Sequence, residues 1–298
     1  LPDGPISAGD AIVAMCPDCC QDIKVHDGND PKVDYTGVRV HGGNVNSKST
    51  KSGTPASCDS IVTDGSVANL DVVGGAVISA GTIDYAPGTI TADGGVLEGF
   101  STPLLPTLPE PDCSHLEAAG AKYFHKGDTV LEPGWYPNGI KITGESVTMR
   151  PGMYCLDGGS NGGLILTKGD LGAMGVFIVV REGSVQLGGS GKLGLAAAKS
   201  IYDGAGEQWG GMLFYMPYEN EGQIHLTGGA TAIYHGTIYA PGPPHSGEKC
   251  VIGGTADLTS LNSSIYCYTL KIGGNGQVVV DYVEGQNYQM SGAIELSQ

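Results

Sequence analysis

Pairs of adjacent glycines recur along this chain at intervals close to twenty residues or to twice that spacing. The pairs begin at Gly74, Gly94, Gly188, Gly228, Gly253 and Gly273. Short runs rich in Val, Ile, Leu, Thr and Tyr lie between them. A period of roughly twenty is typical of a parallel β-helix, because each coil buries alternate side chains and stacks on its neighbours. Glycine at the corners permits positive φ angles and close approach between coils. The spacing predicts an all-β, Gly-rich, right-handed parallel β-helix, or β-solenoid.

Longer similar segments also indicate internal repetition. One is Pro133-Gly134-Trp135-Tyr136, which recurs 18 residues later as Pro151-Gly152-Met153-Tyr154. Another is Tyr85-Ala86-Pro87-Gly88, which recurs as Tyr239-Ala240-Pro241-Gly242. The chain holds 50 glycines in 298 residues without a Gly-X-Y period, which excludes a collagen triple helix. A β-sandwich, whose turns are also Gly-rich, is the alternative fold.

Changes in composition divide the chain into four segments. We expect residues 1–58 to form an N-terminal cap or assembly segment, and residues 59–101 to form the first coils of the solenoid. Four prolines lie within residues 102–112, so residues 102–125 should form an extended connector. Residues 126–298 should form the main solenoid.

Few elements can be placed individually from the sequence. At most one short helix is expected, at Ser114–Phe124, where Ser114 and Glu117 have the spacing of a capping box and Gly120 weakens the helix. Short apolar runs predict β-strands. These runs are Val176–Val180, Ser184–Leu187, Thr231–Tyr239 and Gln277–Val283.

Eight cysteines, an even number, predict disulfides in an oxidising compartment. They are Cys16, Cys19, Cys20, Cys58, Cys113, Cys155, Cys250 and Cys267. Eight cysteines allow about 105 pairings, so the connectivity stays open. The alternative is a metal site, because Cys16 and Cys19 have the spacing of one zinc knuckle. A structural zinc site needs four ligands, and no second Cys-x-x-Cys pair follows.

The order of several short motifs resembles the C-terminal region of TadG-like proteins, which are associated with tight-adherence (Flp) pilus assembly. The motifs are Pro133-Gly134-Trp135-Tyr136, Pro151-Gly152-Met153-Tyr154-Cys155, Gly210-Gly211-Met212-Leu213-Phe214-Tyr215 and Gly236-Thr237-Ile238-Tyr239-Ala240-Pro241. The resemblance covers roughly residues 59–282. It implies a prokaryotic envelope or surface location and a structural role, with no catalytic residues to carry over. Proteins of this family usually begin with an apolar membrane segment, and no such segment is visible in this sequence.

The net charge of the chain disfavours two classes of binding partner. The net charge is −16, and only 15 Lys and Arg are present. Nucleic acids and anionic membrane surfaces are poor partners, because the long-range field repels both. No run of 18 apolar residues predicts a transmembrane helix. The sequence begins at Leu1 without a recognisable signal peptide, so we expect a mature chain that is secreted or displayed on the cell surface.

The residue pattern offers little for catalysis. A glycosidase or polysaccharide lyase on a β-helix would need an assembled acid–base pair, and the acidic residues are mostly isolated beside glycines. No Gly-x-Ser-x-Gly motif sits between a strand and a helix. We therefore expect a protein that is not an enzyme, with no catalytic residues. Asp27, Asp30 and Asp34 offer hard oxygens to calcium, although an ordinary Asp-Gly turn explains the same pattern.

These observations favour an extracellular structural protein of a prokaryotic surface, pilus-associated or forming a filament by self-assembly. Its partners would be other copies of itself or other surface and pilus proteins. A short apolar run is the candidate donor strand between subunits. This run is Ala11, Ile12, Val13, Ala14 and Met15. The alternative is a glycan-binding adhesin that uses exposed tyrosines. The tyrosines considered are Tyr215, Tyr218, Tyr234, Tyr239, Tyr266 and Tyr268.

Overall fold

The chain folds into a stack of parallel β-coils, as seen in a computed structural model. The structure describes residues 4–5, 9–27, 37–52, 58–65, 68–84, 88–100, 102, 105, 107–188, 191–228, 232–254, 259–274 and 276–290. Apart from one short antiparallel pair of strands, all the strand pairs run parallel. This confirms the predicted all-β parallel solenoid and excludes the antiparallel sandwich.

Among the described residues, thirty strands, one short helix and one 3-10 turn make up the regular structure. The strands before the Pro-rich segment are β1 (Gly4–Pro5), β2 (Asp10–Ala14), β3 (Ile23–Asp27), β4 (Gly37–His41), β5 (Asn44–Ser47), β6 (Ile61–Asp64), β7 (Asn69–Val73), β8 (Val77–Ser79), β9 (Ile83–Asp84), β10 (Thr89–Ala92) and β11 (Val96–Leu97). After helix α1 (Ser114–Ala118) follow β12 (Val130–Leu131), β13 (Gly134–Tyr136), β14 (Ile140–Thr143), β15 (Val147–Met149), β16 (Gly152–Leu156), β17 (Gly163–Lys168), β18 (Leu171–Val180), β19 (Ser184–Leu187), β20 (Leu193–Ala197) and β21 (Met212–Tyr215). The chain continues through β22 (Ile224–Gly228), β23 (Ile233–His235), β24 (Thr237–Ala240), β25 (Cys250–Gly254), β26 (Thr259–Asn262), β27 (Ile265–Cys267), β28 (Leu270–Gly274), β29 (Gln277–Asp281), the 3-10 turn Glu284–Gln286 and β30 (Gln289–Met290).

The strands form three faces, and a complete coil contributes to all three. The first face runs β12-β15-β18-β20-β23-β26-β29-β4-β7-β10, and the second runs β13-β16-β18-β21-β24-β27-β2-β5-β8-β11. The third face runs β14-β17-β19-β22-β25-β28-β3-β6-β9. Strand β18 is long enough to serve two faces of one coil. The first face therefore counts ten coils, numbered here from coil one at β12 to coil ten at β10.

The order of the coils in the stack differs from their order in the sequence. Coil seven combines β29, from the end of the chain, with β2 and β3, from its beginning. These strands lie between coil six and coil eight and pair with both. Beside them, β1 pairs antiparallel with β30. The described strands at the two ends of the chain, β1 and β30, therefore lie beside the middle of the stack, and the described strands of residues 1–58 supply interior coils.

Rows of apolar side chains stacked coil upon coil fill the interior. The first inner row of the third face is Ile140, Leu164, Val185, Ile224, Cys250, Leu270, Ile23, Ile61 and Ile83. Every member is buried. Glycine is required where this face begins, because Gly139 and Gly163 have φ of +66° and +105°. A Cβ at Gly139 would lie 2.5 Å from the Gly163 carbonyl oxygen.

The Pro-rich segment (residues 102–125, called the strap) connects the two ends of the stack on the outside. Thr102 lies against coil eight. Farther along, Cys113 is joined by a disulfide to Cys155 on coil two, and Ala121 pairs with Trp135 on coil one. The strap therefore carries the chain from coil ten back along the stack to coil one. The part of the chain before the strap is called the first arm of the solenoid, and the part after it the second arm.

The individual elements differ in detail from the expectations. Helix α1 ends six residues earlier than predicted, and Gly120, with φ of +99°, follows it. The Ser114 hydroxyl donates to Asp112 instead of capping the helix, and no side chain caps its N-terminus. The predicted strand Thr231–Tyr239 is divided at Gly236, which has φ of +118°.

Candidate functional site

All eight cysteines pair as four disulfides, as predicted from their number. The pairs are Cys16–Cys19, Cys20–Cys58, Cys113–Cys155 and Cys250–Cys267. The first lies at a corner of coil seven, and the last joins coils five and six through the core. Because the two sulfurs of Cys16 and Cys19 are bonded to each other, they are not thiolate ligands for zinc, so the alternative of a zinc site is corrected.

The other sites suggested by the sequence have different outcomes. Asp30, Asp34 and the side chain of Asp27 lie outside the described residues, so the calcium hypothesis stays a prediction.

The proposed donor strand is corrected. Ala11–Ala14 are fully buried within β2, which pairs with β27 on one edge and β5 on the other. Met15 follows with its main-chain N–H donating to Cys267. Both edges are satisfied within the chain, which leaves none for a neighbouring subunit.

A second apolar layer lies outside the coils, beneath the strap. Tyr215 and Tyr239 stack on each other with ring centroids 5.4 Å apart. The Tyr239 hydroxyl accepts from the Leu108 main-chain N–H at 3.1 Å, and the Tyr215 hydroxyl donates to the Leu108 carbonyl at 3.3 Å. Burial raises the pKa of both tyrosines, so both stay neutral hydrogen-bonding groups. Two successive coils therefore hold one residue of the strap by both of its main-chain polar groups.

A charged cluster fixes helix α1 to coils one to three. The Arg181 guanidinium donates to both Asp157 oxygens, at 2.8 and 3.1 Å, and lies 2.6 Å from Glu117 on the helix. Asp157 also accepts from the Trp135 indole at 2.7 Å. These contacts raise the pKa of Arg181 despite its partial burial. The role of Arg181 in joining the strap to the stack could not be predicted, because its partners lie 24 and 64 residues away in the sequence.

Basic and acidic side chains pair from coil to coil on the outer faces of the described chain. His41 Nδ1 lies 2.6 Å from Asp281 Oδ1, and Arg39 Nε lies 3.0 Å from Asp71. Neighbouring coils supply the two members of each pair. Pairs of this kind fix the register of adjacent coils, in the same way as cross-strand pairs in other sheets.

One buried lysine has a structural role that the sequence did not reveal. Lys249 is fully buried, and its ammonium donates to the main-chain oxygen of Asn220. Burial lowers the pKa of Lys249 to about 8, against the opposing charge of Glu221. Asn220 is itself buried, and its amide donates to the Val180 carbonyl at 2.8 Å. The lysine and the amide together hold the turn before β22 against coil three.

A groove of about 830 Å³ lies on the outside of the first face. Its floor follows one outer row over three coils, formed by Met174, Ala196 and His235. The 3-10 turn Glu284–Gln286 forms one wall, and Asn287 fixes this wall by accepting from the Ser264 N–H at 2.8 Å. The groove combines this floor with the side-chain amides of several glutamines. Such a surface can hydrogen-bond to an uncharged polar ligand.

The two ends of the stack differ. At one end, coil ten (residues 88–100, called the open end) exposes Val96 and Phe100. At the other, coil one together with residues 121–125 (called the covered end) keeps its inner residues buried, with Phe124 packed against them. Strands β10 and β12, at the two ends of the first face, each pair on one side alone within the described chain.

Comparisons of the chain with known protein families, with curated proteins and with solved structures find no match.

In the part of the chain that the structure describes, no helix has the length and apolar character needed to cross a bilayer.

Of the tyrosines considered for sugar stacking, four are buried by coil stacking or beneath the strap. These are Tyr215, Tyr234, Tyr239 and Tyr266. Tyr218 is exposed and Tyr268 is half-buried.

Proposed function

We propose that this protein is an extracellular structural component of a prokaryotic surface, either associated with a pilus or forming a filament by self-assembly. The observation that carries the proposal is the open end of the stack, where core side chains are partly exposed and strand edges have no strand partner among the described residues. Unpaired edges of this kind favour the addition of another chain.

Two further features support a structural role on the outside of the cell. Four disulfides are typical of proteins that fold in an oxidising compartment. The strap is fixed to the coils by a disulfide, by two tyrosine hydroxyls and by Arg181, so the stack is braced along its outside. The order of the motifs at residues 133–136, 151–155, 210–215 and 236–241 resembles TadG-like proteins, which adds a surface location to the proposal.

Immunogold labelling of intact cells of the source prokaryote tests the proposal. Antibodies raised against the folded solenoid should decorate surface filaments or the bases of pili, and cells from which the gene has been deleted serve as the control. Intact cells that carry no label, or a protein that is found entirely as free monomer outside the cells, would contradict a structural role at the surface.

The groove favours a second candidate, a glycan-binding adhesin. Its glutamine amides, among them Gln208 and Gln286, suit the hydroxyl groups of a neutral sugar chain. A glycan array probed with the intact protein should then show binding that Gln286→Ala weakens, whereas Gln223→Ala, on another part of the surface, should leave it unchanged. Absence of binding across neutral and acidic glycans would remove this candidate.

A further inference from the structure

We propose that the open end of one molecule docks onto the covered end of a second copy, so that the coils continue head to tail from molecule to molecule. This inference rests on the proposed structural function and names the partner and the two surfaces of the assembly.

The core is uncovered at the open end. Val96 belongs to an inner row of the second face, in which its neighbours Val77 and Val45 are fully buried. Val96 is nevertheless 37% exposed, because no described strand covers it. Phe100, at the end of the same coil, is 57% exposed. Apolar surface left bare at the end of a stack favours burial by another coil.

The covered end presents matching apolar side chains around its closed core. Tyr123 is 51% exposed and Val130 is 45% exposed, while Leu131 behind them is buried. The main-chain N–H of Lys122 donates to the Trp135 carbonyl, so β13 is already covered by residues 121–122. Strand β12 keeps one edge without a strand partner in the described chain. The contact would therefore combine side-chain packing with strand addition along the first face.

Strand direction is compatible with head-to-tail contact. All ten coils wind in the same direction, so β10 at the open end and β12 at the covered end run parallel. A second copy placed coil one to coil ten continues the parallel pairing of the first face. Two open ends facing each other would have to pair antiparallel.

Charge decides between these two arrangements. Residues 88–100 carry two acidic and no basic side chains. Residues 121–132 carry two lysines, one Asp and one Glu, and Glu132 is compensated by Arg150 at 3.7 Å. Two open ends would each bring two acidic side chains to the contact and repel each other, whereas the covered end adds no net charge of its own and one positive charge with Arg150. A heterologous contact that does not close on itself generates a filament.

Three double variants test the proposal. Val96→Glu with Phe100→Glu disables the open end, because it places charged side chains in an apolar contact. Tyr123→Glu with Val130→Glu disables the covered end in the same manner. Tyr218→Glu with Val283→Glu is the matched control, because these side chains are 51% and 44% exposed and lie on neither end. Sedimentation and light scattering over rising concentration give the average mass, and thermal melting checks that each variant folds.

Wild type and the control should grow in mass with concentration, while each end variant alone should associate at least about tenfold more weakly, as expected where charged side chains replace apolar ones in a contact. A mixture of the two end variants should form a heterodimer and nothing larger, because one working contact remains and the two altered ends both carry glutamates, which repel each other. If a double variant does not fold, Phe100→Glu and Tyr123→Glu replace the pairs.

Two results would overturn the inference. One is a wild-type protein that stays monomeric up to millimolar concentration. The other is a covered-end variant that dimerises by itself while the open-end variant does not, since that pattern indicates pairing of two open ends. End variants that assemble like wild type would refute this interface and leave the proposed function standing, provided that surface filaments are still labelled on cells.

Discussion

At the scale of single residues, the interior of this solenoid is not uniformly apolar, and one buried carboxyl lies in coil seven, where the two arms of the chain meet. Asp22 is fully buried in coil seven, with both carboxyl oxygens 2.9 Å from the Ser47 hydroxyl of coil eight. Burial raises the pKa of Asp22 well above its usual value and outweighs the hydrogen bonds from Ser47 and from the main chain of Ser49, which favour the charged form.

The raised pKa of Asp22 predicts a pH dependence of stability. The folded state holds this proton more tightly than the unfolded state, so the free energy of unfolding should fall as the pH rises from about 4 toward the folded-state pKa. Each pH unit crossed in that window costs about 1.4 kcal/mol. Asp22→Asn should remove this component of the slope, as measured by urea unfolding at several pH values.

Asp64→Asn is the control for the sign of this effect. Asp64 lies on the surface, and a hydrogen bond from Lys24 lowers its pKa. Its contribution is therefore present at neutral pH and is lost as the pH falls, opposite to that of Asp22. An unchanged slope in Asp22→Asn would contradict a protonated Asp22 in the folded protein.

At the scale of elements, the sequence predicted the strands better than their partners. Ser184–Leu187 is a strand with the predicted bounds, and Val176–Val180 forms the end of the longer β18. Local alternation and glycine are enough for such predictions. The same alternation occurs in every coil, so nothing in Gln277–Asp281 indicates that this strand lies between β26 and β4.

The contacts of the strap could not be predicted for a similar reason. Prolines indicate an extended segment, but they do not indicate what it crosses. Leu108 is held by tyrosines 107 and 131 residues away. Such contacts depend on the order of the coils in the stack, which local sequence does not encode.

The Cys113–Cys155 disulfide should be the main covalent support of the strap. Its cysteines are 42 residues apart, so the loop that it closes restrains the unfolded chain by about 4 kcal/mol in the chain-entropy account. Replacing both cysteines by serine should lower the free energy of unfolding by an amount of that order, measured by denaturant titration without reductant.

Cys16→Ser with Cys19→Ser is the matched control, because these residues are three apart and the same account gives about 1.6 kcal/mol. Equal losses in the two double variants would show that the strap is not held chiefly by Cys113–Cys155.

At the scale of the whole molecule, two arms of one chain form a single stack that closes in its middle. The Gly-Gly spacing predicts coils but not this closure, because each coil has a similar inner surface and can stack on any other. Coil seven is completed by β29, β2 and β3 together, and the short pair of β1 with β30 lies beside it.

This closure predicts that the chain tolerates circular permutation. Joining residue 290 to residue 4 through a two-residue turn and opening the strap between Pro109 and Glu110, which are both exposed, should give a protein that unfolds cooperatively. The same join with the opening between Phe177 and Ile178, which are fully buried in β18, should not fold. Circular dichroism and thermal melting distinguish the two, and failure of the first permutant alone would contradict the closure.

Electron microscopy of the native, oxidised protein tests whether the coil stack is a structural unit that extends end to end. Ten coils at the usual spacing of about 4.8 Å predict unbranched filaments with an axial repeat of about 48 Å. Single particles at all concentrations, or assemblies that grow only sideways from the faces of the solenoid, would contradict the claim.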